Sequence, residues 1–176
     1  IDNLVNLDDS FTFQALVYAD SDADYNMTDA GAHILSIGAG VTYADFAIGI
    51  SSSGQHTEFE VPTLILEFGP NGDNDWQTQG LYQFAANVDF PLDRWVLITA
   101  SFDNGQLLAY QNGIECINTT TTFTNPTNNG TPMYFGTRSL PYTQPFKGDI
   151  KDITYWDVAL NENQIIEGES IEELLA

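Results

Sequence analysis

Asp20, Asp22 and Asp24 alternate through YADSDADY (18–25), and they are the first residues whose type and spacing could do chemistry. Carboxylates two positions apart in one loop repel each other unless a cation lies between them, and an all-oxygen donor set favours a hard ion such as calcium. An EF-hand is excluded. Tyr25 stands where that loop needs glycine, and the twelfth position counted from Asp20 is Gly31 instead of a bidentate Glu. The acidic loop NGDNDW (71–76) fails the same test, but it sets Asp73 and Asp75 beside Trp76. A ring in a polar loop offers a flat apolar face to sugar C–H groups, while Asp, Asn or Arg side chains bond the hydroxyls. Trp76 with Asp73 and Asp75 is therefore the leading candidate ligand platform, with Tyr142 and Arg138 as further ligand-binding candidates. Trp95 and Trp156 lie in strand patterns and are expected in the core.

The charge balance bounds what such sites can bind. Twenty-five acids face only Arg94, Arg138, Lys147 and Lys151, a formal net charge of −21. That surface repels phosphate backbones and anionic headgroups, so nucleic acid and membrane insertion are not expected. It suits divalent cations, and equally a simple acidic coat. Cys116 is the only cysteine, which leaves no internal disulfide and no thiolate metal cluster, and its strand context predicts a small buried hydrophobe. His33 and His56 lie in unrelated contexts, which argues against a histidine-rich zinc site.

The elements that must position these residues are strands almost throughout. FTFQALVY (11–18) alternates, with Phe11, Phe13, Ala15 and Val17 on one face. Further β-rich runs fall at 33–38, 45–50, 63–69, 81–88, 95–102, 106–111, 114–118, 132–137 and 149–157, separated by turn sequences such as PNGDND, DNG and QNG. Asn112-Gly113 between two runs predicts a type I′ hairpin, because both residues tolerate positive φ. Many short strands with little helix predict an all-β, two-sheet antiparallel jelly-roll sandwich. One short C-terminal helical segment is expected after Asn161, a possible N-cap. A single domain over 1–176 accounts for the length, and Ile1 without a signal-peptide pattern reads as a domain excised from a larger modular protein.

Two stretches carry more than generic strand signal: FPLDRWVLITASFDNGQLLAYQNGIEC (90–116), and PMYFGTR (132–138) with FKGDIKDITYWDVALNENQI (146–165). With FTFQALVYAD they resemble the laminin-G-like, pentraxin-related branch of the concanavalin A-like lectin/glucanase superfamily. Trp95, Tyr110, Asn112, Gly113, Gly148, Ile150, Tyr155 and Leu160 fall where that pattern expects them. The resemblance implies a jelly roll with a calcium site, in which the loop after the first strand meets an acid from the closing strand. In this chain that would join Asp20, Asp22 and Asp24 to Asp149 or Asp152. One position departs: where the family has aspartate after the isoleucine, this chain has Lys151, whose ammonium is a rival for the cation's place.

Relatives of this fold that hydrolyse glycans carry closely spaced acids on one strand. Here Glu58 and Glu60 have no third acid after them, and Glu67 opposes Leu64, Leu66 and Phe68, so it is expected to face solvent. With only four cations, a lyase acting on acidic sugars is electrostatically poor. The expectation is a non-catalytic, calcium-dependent module that binds a glycan or glycoprotein, a monomeric domain within a secreted or cell-surface chain. The alternative is a structural spacer or protein–protein interaction domain with no sugar site.

Overall fold

The computed structural model describes residues 7, 9–25, 32–37, 46–53, 58–68, 82–124, 133–137 and 145–167. Ten strands run in the order β1 (Ser10–Ala19), β2 (Ala32–Ile37), β3 (Phe46–Ser53), β4 (Glu58–Phe68), β5 (Tyr82–Asp89), β6 (Trp95–Asp103), β7 (Gln106–Gln111), β8 (Ile114–Thr120), β9 (Met133–Phe135) and β10 (Gly148–Trp156), followed by helix α1 (Glu162–Glu167). They form two five-stranded antiparallel sheets, β10-β1-β6-β7-β8 and β5-β4-β3-β2-β9. This is the expected all-β jelly-roll sandwich.

Alternation drives the two sheets together. Phe11, Phe13, Ala15 and Val17 of β1 point inward, as do Phe46, Ile48 and Ile50 of β3 and Leu64, Leu66 and Phe68 of β4. Phe68 is the hub of an aromatic cluster, with ring centroids 5.0 Å from Phe46, 5.1 Å from Phe123 and 5.5 Å from Phe102. Tilted and edge-on contacts at such spacings suit the ring quadrupoles and bind the sheets beyond simple area burial. The hairpin at Asn112-Gly113 has φ of +52° and +74°, as a type I′ turn requires. Asn112 also accepts the Leu97 N–H on its side-chain oxygen at 2.9 Å, which ties the turn to β6. Cys116 is buried, and burial pushes its thiol up to about 11, so it is an inert core residue.

The C-terminal segment folds back over the outer face of the first sheet. Thr12 Oγ1 donates to the Val158 carbonyl at 2.9 Å and accepts the Leu160 N–H at 2.8 Å. Ser101 Oγ donates to the Leu160 carbonyl. Asn161 caps α1 as expected: its side-chain oxygen accepts the Gln164 N–H at 3.1 Å, and Gln164 Oε1 accepts the Asn161 N–H at 3.0 Å. This is a reciprocal capping box. Asn161→Ala should cost about 1 kcal/mol in chemical denaturation, the usual worth of a cap.

Two expectations change here. Trp95 and Trp156 are half-buried on the outer face of the first sheet and are not in the core. Trp95 pairs with Tyr18 across β1 and β6, its ring edge-on at 5.7 Å, and Trp156 sits opposite Thr12.

Candidate functional site

The acidic turn leaves β1 at Ala19 and is held by backbone bonds. Ala23 N–H and the Tyr25 hydroxyl both donate to the Asp20 carbonyl, at 3.3 and 2.8 Å. Ser21 N–H donates to Asp93 Oδ1 at 2.9 Å, and Asp93 N–H returns to the Ala19 carbonyl at 2.8 Å. Bonds from Ser21 hold the Asp93 carboxyl below its ordinary range. Tyr25 is buried, and its phenol is pushed up to about 12 by burial and then by the charges of Asp20, Asp93 and Asp22. Negative potential therefore concentrates where the sequence places it.

β10 supplies the other side of the turn. Asp149 lies opposite Tyr18, two residues before Asp20, so Asp20, Asp22, Asp24 and Asp149 share one end of the first sheet. Asp152 does not join them. It sits at a bulge where Asp152 and Ile153 together oppose Ala15, with φ of +53°, five residues up β1 from Asp20 and about 16 Å away at strand spacing. The cation at the turn is also not the expected one. Lys151 Nζ stands over the Trp95 ring, 4.5 Å from its centroid, while Lys147 Nζ pairs with Asp22. Among the described residues no group of three or more His, Cys, Asp and Glu side chains is placed to hold a metal ion. The turn thus does not fit a calcium cage as it stands: Lys147 holds Asp22, and the Asp20 carbonyl already accepts two bonds.

The expected ligand platform, Trp76 with Asp73 and Asp75, together with Tyr142 and Arg138, lies outside the described residues.

A second polar group was not foreseen. On the outer face of the second sheet, His33 of β2 and Glu67 of β4 flank β3, where the positions between them are Gly49 and Ala47. With nothing larger than a methyl group there, the two long side chains meet above β3. His33 Nε2 lies 3.5 Å from Glu67 Oε2, with the side chains 0% and 4% exposed. Gln83 of β5 donates to Glu67 Oε1 at 2.9 Å. Ser51 and Thr63 are buried on the same face. Glu67 does point away from the core, as its strand alternation requires, but it is buried and not solvent-facing. Among the described residues neither His33 nitrogen has a hydrogen-bond partner. The sequence signal for this site is the small-residue alternation of AIGIS (47–51) between strands that carry His and Glu.

The laminin-G-type model of the concanavalin A-like lectin/glucanases superfamily matches residues 1–166. The chain belongs to this superfamily. No curated protein sequence matches it. Solved structures of the same fold include domain 4 of AbnA, a GH43 extracellular arabinanase from Geobacillus stearothermophilus in complex with arabinotriose. There the TM-score is 0.66 at 18% identity, covering 94% of this chain and 68% of that one. The Ruminococcus gnavus IT-sialidase CBM40 bound to α2,3 sialyllactose has a TM-score of 0.66 at 15% identity, covering 90% and 82%. A heptameric SAP-like pentraxin from Limulus polyphemus has a TM-score of 0.61 at 15% identity, covering 90% and 69%. At these identities the likeness establishes the jelly-roll fold of this laminin-G-like domain alone.

Proposed function

We propose that this laminin-G-like domain is a non-catalytic carbohydrate-binding module of a secreted or cell-surface protein, with Trp76, Asp73 and Asp75 as its sugar platform. The observation that carries the reading is the laminin-G-type match over residues 1–166 on a two-sheet jelly roll. Domains of the same fold in the arabinanase and the sialidase are named with bound oligosaccharides, which supports the ligand class. The net charge of −21 favours neutral over acidic glycans.

Calorimetric titration with neutral oligosaccharides chosen from a glycan array tests the reading. Binding should weaken ~10-fold in Trp76→Ala, the loss of one stacking contact, with circular dichroism unchanged. Silence across the array would favour a structural spacer. Full affinity in the variant would move the sugar to another surface.

A further inference from the structure

We propose that Lys147 is the resident cation of the acidic turn, closing the junction between the first and last strands where the resemblance places a calcium ion. The backbone of Lys147 is held on both sides, which places the root of its side chain beside the turn. Upstream, Pro145 bridges to His33 and the Phe146 N–H donates to the Gly136 carbonyl at 2.9 Å, which anchors the segment to the second sheet. At Lys147 itself the carbonyl accepts the Asp20 N–H at 3.2 Å, so one residue holds the turn through its main chain and its side chain together. Downstream, Gly148 enters the ladder opposite Ala19 with φ of +142°, and a Cβ there would meet the Tyr18 carbonyl oxygen at 1.9 Å. That close approach delivers residue 147 directly over the turn.

Of the acids near the turn, Asp93 accepts from Ser21, while Asp149 and Asp152 are exposed on β10, with Asp152 three residues further along the strand. Asp22 is the carboxylate that Lys147 neutralises. Lys151, the other lysine of this region, is committed to the Trp95 ring and does not compete. The pair itself is well exposed, at 51% for Lys147 and 75% for Asp22, so its contribution is modest and sensitive to salt.

The test is thermal melting at low ionic strength, in chelator and in millimolar calcium, of the wild type, Lys147→Met and Lys147→Arg. The wild type and Lys147→Arg should melt at the same temperature in both conditions. Lys147→Met should melt about 1–4 °C lower in chelator, the size expected from losing one surface pair in a chain of this length. Calcium raising the melting temperature of the wild type would overturn the proposal, because the metal would then bind with Lys147 in place. So would a Lys147→Met variant that is unchanged in chelator. None of these outcomes depends on sugar binding, so the proposal stands or falls separately from the glycan reading.

Discussion

Gly148→Ala is expected to lower the melting temperature by roughly 6–12 °C, at two to four degrees per kcal/mol for a chain of this size. Two costs combine at this position. The φ of +142° belongs to a region that L side chains rarely adopt. An added Cβ would also lie 1.9 Å from the Tyr18 carbonyl oxygen and 3.0 Å from Phe146 Cε1. The first obstacle is backbone of the strand that pairs with β10, so it cannot swing aside as a flexible side chain would. Relief requires β10 to pull away from β1 near Ala19, and the total penalty is about 3 kcal/mol or more. Gly136 is the control: its φ is +69°, yet a Cβ there meets nothing nearer than Ile150 Cδ1 at 4.0 Å. Gly136→Ala should cost only about 1 kcal/mol. Equal melting of the two variants would mean that the close approach at Tyr18 is not rigid.

Phe68→Ala carries the other large effect. Its ring touches Phe46, Phe84, Phe102 and Phe123, so truncation opens a cavity lined by four aromatic rings that cannot all collapse into it. The expected loss is about 3–5 kcal/mol, read as a lower denaturant midpoint with an unchanged slope. A loss under about 1.5 kcal/mol would show that the cluster repacks freely. Phe68 also neighbours Glu67 on β4, one facing the core and the other the outer face.

The fold was legible in the sequence because its signals are local. Period-two alternation and Asn-Gly turns depend on residues a few positions apart, and all ten strands fall within a few residues of the expected runs, most within two. What local pattern does not encode is which outward face becomes covered. Glu67 has the alternation of a solvent-facing residue, and only the placement of β2 and β5 on either side of β3–β4 makes it a buried partner of His33 and Gln83. Trp95 was misread for a related reason. β6 carries apolar residues on both faces, Trp95 and Leu97 on one, Val96, Ile98 and Ala100 on the other, so alternation does not say which face is the core. At the acidic turn the sequence shows the residue types but not the register, which sets Asp152 opposite Ala15, five residues from Asp20, and brings Lys147 to Asp22.

The pairing of β1 with β10 also dictates an order of events when the chain first folds. β1 lies in the middle of its sheet, between β6 and β10, and its Thr12 bonds to a carbonyl 146 positions away. Contacts this remote form late, because the loop entropy of the whole intervening chain is spent before they are made. During synthesis β1 can join β6 once Trp95–Asp103 has emerged, but one flank of it stays unpaired until the last strand leaves the ribosome. Over that interval the second sheet is complete except for β9, and the exposed edge of β1 is the segment most in need of protection from other chains.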